Sequence, residues 1–265
     1  MIPEKLVERL IELGENPEDV YNSRTRKAYL GPGNDKVPWF PDASYDGDGY
    51  VFDPISAVPV IALEPKPNEK ILDMCAAPGT KTILISHLMG NSGNIVANDV
   101  SRNRLMRLKS NIEKYKINAE ITTMSGRIIS DKFDKILVDA PCSGEGIVNK
   151  KDKLFSVWSE RRISFLSKKQ KKLISNAFRI LNENGILVYS TCTFAPEENE
   201  EVIQYILDKN DNAKLDSIDV DAGHSAGLRE WRSMKFADSM RRCMRIYPRH
   251  NSTSGFFVAK IRKQA

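Results

Sequence analysis

The sequence predicts an α/β fold, a doubly wound and mostly parallel sheet carrying a short N-terminal extension. Two observations support this expectation. Strand-like apolar runs alternate with helix-periodic stretches from residue 70 onward. Three polar, chemistry-bearing segments each follow such a run, at the strand ends where open α/β sheets bind ligands.

Residues 1 to about 22 read as a helix followed by a turn. Residues 23 to 54 contain GPGNDKVPWFPDASYDGDGY, whose Gly, Pro, Asp and aromatic content predicts an irregular or short-stranded segment. The chain is thus divided into an extension over residues 1–50 and a main domain over 51–265. Strands are expected at Lys70–Ala76, Asn94–Asp99, Ala119–Met124, Lys135–Ala140 and Gly185–Thr191. Helices are expected at Thr80–Met89, Ser101–Lys116, Glu160–Leu181 and Pro196–Lys209. The third helix spaces Ile163, Leu166, Leu173, Ala177 and Ile180 as a core-facing stripe, with lysines on its other faces. Two further strand candidates, Cys243–Tyr247 and Gly255–Lys263, end the chain.

Composition narrows the class. The chain is 41% hydrophobic and 28% charged, and no apolar run approaches the ~20 residues of a membrane span. The opening MIPEKLVERLIEL places acidic residues in an amphipathic pattern, unlike a signal peptide. A cytoplasmic protein without a membrane partner is expected. The net charge of +5 fits a nucleic-acid partner without requiring one. Nine Lys or Arg face only Asp152 and Glu160 between Lys150 and Lys172, and seven face Glu230 and Asp238 between Arg229 and Arg249. Each stretch reads as a solvated face or as a surface for phosphates. Cys75, Cys142, Cys192 and Cys243 lie far apart without a CxxC pair, which argues against a metal site and against a disulfide framework.

The first strand of the domain runs into DMCAAPGTKT, Asp73–Thr82. Its small residues allow close backbone approach, yet it is neither a phosphate-cradling loop nor a dinucleotide fingerprint. A nucleoside bearing a zwitterionic amino acid would suit it. Asp99 ends the second strand, where an acid either binds ribose hydroxyls or caps the helix from Ser101. Cys142 stands in DAPCSGEG, Asp139–Gly146, and Cys192 in YSTCTFAPEENE, Tyr189–Glu200. Both sit in polar loops past strand ends, unlike the common buried cysteine. Cys192 is also expected just before a helix N-terminus, whose dipole would favour its thiolate.

These three segments resemble, in order and spacing, motifs of the Nop/Sun family of RNA 5-methylcytosine methyltransferases, over roughly residues 50 to 260. The compact chain is most similar to archaeal tRNA-type members. The resemblance implies a Rossmann-like S-adenosylmethionine-dependent methyltransferase fold and methylation of cytosine carbon 5 in RNA, with tRNA the expected substrate and rRNA the alternative. It implies Cys192 as nucleophile, Cys142 as the group assisting product release, and Asp139 at the target base. It assigns S-adenosyl-L-methionine to Cys75, Ala76, Ala77, Pro78, Gly79, Thr80 and Lys81 with Asp99, joined by Arg104, Ser125, Gly126 and Asp139. It also places Phe52–Pro59 beside the site and Arg245–Phe257 over it. A monomer is the default, with specificity coming from the basic surfaces or an accessory protein.

The residue types suit that chemistry. Carbon 5 of cytosine is a poor nucleophile until a thiolate adds to carbon 6, and an acid near ring nitrogen 3 stabilises the charge that builds there. Two departures from the family stand out: Thr80 replaces a second Gly, a strain if φ is positive there, and Ser125 stands where an acid is common.

Overall fold

The computed structural model describes residues 1–30, 50–147 and 151–265. Two short helices open the chain, α1 (Glu4–Glu12) and α2 (Pro17–Asn22). Asn16 caps α2 by accepting the Glu18 and Asp19 N–H groups. A two-stranded antiparallel pair follows, β1 (Ala28–Leu30) with β2 (Tyr50–Phe52). A 3-10 turn at Pro54–Ala57 leads into α3 (Val58–Leu63).

The main sheet then begins. In chain order come β3 (Lys70–Asp73), α4 (Thr80–Leu88), β4 (Asn94–Asn98), α5 (Arg102–Lys114), β5 (Ala119–Thr122) and β6 (Phe133–Asp139). After α6 (Lys151–Val157), the long α7 (Glu160–Ile180) returns the chain to β7 (Leu181–Thr191), and α8 (Glu200–Lys209) and β8 (Ala213–Asp216) follow. The last part holds β9 (Ser225–Ala226), a small hairpin of β10 (Glu230–Trp231) and β11 (Met234–Lys235), β12 (Met244–Ile246), α9 (Pro248–Asn251) and β13 (Phe256–Lys263).

The strand order is β5-β4-β3-β6-β7-β13-β12-β9. The five strands from β5 to β7 run parallel, and β13 and β12 add antiparallel. β8 pairs with the C-terminal half of β13. The order reverses at β3, which lies between β4 and β6, so the crevice between their carboxyl ends is the switch point where such sheets bind ligands.

Strand alternation builds both cores. Leu72, Val96, Ile136, Val138, Leu187 and Tyr189 face the side of α7 and α8. Their neighbours Ile71, Ile95, Leu137, Ile186 and Val188 face the opposite side, against α3 and α4. The stripe expected on the long helix is buried: Ile163, Leu166, Ala177 and Ile180 have at most 8% exposure, and Leu173 packs against the same cluster. No helix among the described residues is long and apolar enough to cross a membrane.

The observed strands and helices match the expected ones with ends shifted by a few residues. One shift matters: the helix expected from Pro196 starts at Glu200. Turns closed by Glu198 N–H to Ala195 O and Asn199 N–H to Pro196 O occupy the intervening residues. The short α2, α3, α6 and α9 and the strands β8 to β11 were not expected, α2 standing where a turn was read, because each is too short to show a period of its own.

Candidate active site

The ends of β6 and β7 bring two thiols together. Cys142 Sγ and Cys192 Sγ lie 3.1 Å apart. The hydrogen bond with Cys192 and then burial hold the Cys142 pKa well above the ordinary thiol value, so Cys142 keeps its proton, and either sulfur can donate across the contact. Backbone hydrogen bonds tie the two loops, Ala140 N–H to Ser190 O and Gly146 N–H to Cys192 O, both at 2.9 Å. Gly255 closes the far side, its N–H donating to Gly146 O. Neither glycine tolerates a side chain, for a Cβ on Gly146 would sit 2.4 Å from Gly255 O.

Asp139 stands beside the thiols at the end of β6. Its Oδ2 accepts Lys81 Nζ at 2.7 Å and its Oδ1 accepts Ser190 Oγ at 2.8 Å. Burial alone would lower the Lys81 pKa, but Asp139, seconded by Asp73, drives it upward and keeps the ammonium charged. Lys81 is therefore committed to Asp139, a role that its place in the cofactor loop did not reveal. Behind it, Asp73 is fully buried and its Oδ1 has no hydrogen-bond partner among the described residues. Burial pushes the Asp73 carboxyl up to about 7, against a hydrogen bond from Thr82.

Two cavities open on this region. One, of about 340 Å³, is lined by Asp139, Cys142 and Cys192 together with Ile147, Leu154 and Val157. The second, of about 280 Å³, is lined by Cys75, Asp99, Arg104, Ser125 and Gly126, with apolar Met74, Val100 and Leu173. Arg104 and Pro141 line both, so they share a wall. The second cavity combines an acid, a hydroxyl and apolar surface, a donor set that fits a nucleoside with an attached amino acid.

Of the expected cofactor residues, Cys75, Asp99, Arg104, Ser125 and Gly126 line this second cavity. Ala76 and Ala77 turn their side chains into an apolar cluster with Ala97, Leu108 and Ile112 of α5. Pro78 is exposed and Gly79 takes φ 112°. The positive φ thus falls on Gly79; Thr80 begins α4 unstrained, its Oγ1 2.7 Å from the Tyr50 hydroxyl. Asp99 accepts Ala77 N–H at 3.2 Å and Ser101 N–H at 2.8 Å, so it pins the loop and the helix start together. Burial drives the Cys75 pKa up and leaves that thiol protonated.

Three further expectations are modified. Cys192 lies eight positions before the first residue of α8, beyond the turn over which a helix dipole acts. The basic stretch before and within α7 does reach the thiol cavity, through Lys153 and Arg162; Lys150 and the side chain of Lys151 lie outside the described residues. The C-terminal arginines do not line it: Arg245 is buried against Glu200 at 2.7 Å, and Arg229, Arg232 and Arg249 pair with Asp238, Glu12 and Glu15. Asp53 meets this C-terminal segment by accepting Ser254 N–H at 3.1 Å. Buried Glu145 and Glu198, which cross between the two cysteine loops, gave no signal in the sequence beyond lying in the quoted motifs.

The chain is similar to known proteins in sequence and fold. A family model described as 16S rRNA methyltransferase RsmB/F matches residues 60–262. A tRNA (cytosine(49)-C(5))-methyltransferase of Pyrococcus abyssi is 42% identical over 212 residues, 78% of this chain and 68% of that protein. The 25S rRNA (cytosine-C(5))-methyltransferase nop2 of Schizosaccharomyces pombe is 36% identical over 98% of this chain, which spans 44% of that protein's length. A crystal structure of a methyltransferase homologue from Pyrococcus horikoshii superimposes with a TM-score of 0.76 at 32% identity, covering 98% of this chain and 82% of that one.

Proposed function

Because the chain belongs to the RsmB/F family of RNA methyltransferases, we propose that it methylates carbon 5 of cytosine in RNA, with tRNA as substrate and S-adenosyl-L-methionine as donor. The observation that carries the reading is the pair of thiols 3.1 Å apart in one cavity that shares a wall with a second, nucleoside-sized one. The 42% identity to the Pyrococcus tRNA enzyme, above the 36% to the 25S rRNA enzyme, favours tRNA over rRNA.

Asp99, Ser125, Gly126 and Arg104, with apolar Met74, Val100 and Leu173 lining the same cavity, would hold the donor. When bound, it supplies an electrophilic methyl group on sulfonium sulfur. Cys192 Sγ adds to carbon 6 of the target cytosine, and carbon 5 gains the electron density it needs to take the methyl group. Asp139, held by Lys81 and Ser190, faces the ring as the charge builds. The carbon 5 proton is then lost to water as the bond from carbon 6 to Cys192 Sγ breaks, which restores the aromatic ring and releases Cys192 as a thiolate. Cys142, which keeps its own proton, stands next to the departing sulfur and protonates it. Ile147, Leu154 and Val157 supply an apolar wall for a base turned out of its stack.

The test is transfer of labelled methyl to tRNA and to rRNA, with the product mapped by bisulfite sequencing. Methylated cytosine in tRNA is expected, and no transfer to either RNA would overturn the reading. Cys142→Ala is expected to accumulate a covalent protein–RNA adduct that survives denaturing electrophoresis. Normal turnover without adduct would make Cys142 a structural residue.

A further inference from the structure

The two cysteine loops exchange buried carboxylates. Glu145, three residues after Cys142, reaches across to Cys192's loop, where its Oε2 accepts Thr193 Oγ1 at 3.0 Å and Phe194 N–H at 3.1 Å. Its Oε1 accepts the Trp158 indole N–H at 2.8 Å. Glu198, six residues after Cys192, reaches the opposite way, and its Oε2 accepts Ser143 N–H at 3.0 Å, one residue past Cys142. Gln170 of α7 braces that carboxylate at 2.7 Å. Between them, Ser143 Oγ and Thr193 Oγ1 lie 2.7 Å apart. Exposure is 1% for Glu145 and 0% for Glu198.

Burying a carboxylate is costly unless its oxygens are satisfied. A fold that needed only to join two loops would use apolar contacts. Here each loop instead spends a carboxylate on a backbone N–H of the other, next to the reacting sulfur. Hydrogen bonds fix distance and direction in a way that apolar packing does not. We propose that Glu145 and Glu198 form a reciprocal clasp that sets the spacing of the two thiols, and that both are positioning residues for the reaction. The inference rests on reading Cys142 and Cys192 as the reacting thiols.

The test needs neither RNA nor donor, so it fails or succeeds apart from that reading. Diamide takes two protons and two electrons from two thiols, leaving a disulfide and a hydrazine, and its rate on the intact protein reports how well Cys142 and Cys192 are aligned. The coupled peptide is followed by mass. Glu145→Ala and Glu198→Ala are expected to slow coupling by about tenfold or more, the scale of losing a buried hydrogen bond to a charged group. Glu198→Gln keeps an oxygen for Ser143 N–H and should recover most of the rate. Thr193→Val, nearly isosteric, should slow coupling without threatening the fold and carries the test if the alanine variants do not fold. In methyl transfer, kcat should fall in the same order while KM for RNA stays within about twofold. Coupling at the wild-type rate in a folded Glu198→Ala or Thr193→Val protein would overturn the clasp, as would a loss of donor affinity parallel to the loss of kcat.

Discussion

The two cavities are walled by the same sheet edge but held in different ways. The loop of the second cavity is fastened through one βαβ unit, by Asp99 to Ala77 and Ser101 and by Asn98 Nδ2 to Met74 O at 3.0 Å. Its alanines pack on α5, and Arg104 reaches back to Ala77 O. These fastenings lie within about one strand and one helix of the loop, while its far end reaches Tyr50 through Thr80 and Asp139 through Lys81. The thiol cavity is assembled from farther apart. Cys142 and Cys192 are 50 residues apart, and the Tyr21 hydroxyl of α2 donates to Glu145 O from 124 residues away. Leu6, Leu10 and Val20 of the first two helices share a cluster with Leu154, Phe194 and Tyr247 around it. The first region is thus a local scaffold for a ligand. The second is a long-range assembly in which buried charges, not just apolar contacts, fix the reacting atoms.

If that contrast is right, damage to the thiol region should cost chemistry and damage to the loop should cost binding. The largest effect is expected from Cys192→Ala, with methyl transfer reduced by several orders of magnitude and donor affinity unchanged, since no other group activates the ring. Full activity in that variant would break the contrast outright.

A pH titration of stability probes one buried carboxyl from each region. Burial raises Asp73 to about 7 from 3.8 and Glu198 to about 7 from 4.5. Because the folded values are raised, the stabilisation is complete below the unfolded values and is lost as pH rises toward about 7. Urea unfolding should show stability falling by a few kcal/mol between about pH 4.5 and 7. Glu198→Gln and Asp73→Asn should each flatten part of that slope, and a stability that rises through this window would place both carboxyls among ordinary paired ones.

Asp99→Ala should weaken donor binding by ~1.5–3 kcal/mol, the scale for a hydrogen bond with a charged partner. Calorimetry showing unchanged affinity would leave Asp99 only its loop-pinning contacts. The smallest effect is expected at the rim of the thiol cavity. Lys153→Ala and Arg162→Ala should each weaken RNA binding several-fold and lower the salt slope by ~0.7–0.9 per lost phosphate contact. Equal affinity and an equal slope would make them solvated side chains.

The loop, the strand–helix alternation of the parallel half and the stripe on α7 were legible in the sequence because each is a local pattern, a period or a short motif. The meeting of DAPCSGEG with YSTCTFAPEENE followed from both lying past strand ends of one parallel sheet. The partners were not legible. Lys81 reads as part of the loop until β3 and β6 become neighbours and set it 2.7 Å from Asp139. The stretch between Arg229 and Arg249 reads as a solvated face or a phosphate surface until the fold buries Arg245 against Glu200 and pairs Arg229, Arg232 and Arg249 with Asp238, Glu12 and Glu15. Glu145 and Glu198 gave no signal beyond their place in the quoted motifs. The sequence by itself determined which residues are candidates for the chemistry and on which elements they ride, since backbone period and side-chain type are properties of the chain. Which charges are buried, and which group each one holds, was decided only by tertiary structure. Burial and pairing depend on segments far apart in the chain, and a carboxylate changes its role with its surroundings while its identity stays the same.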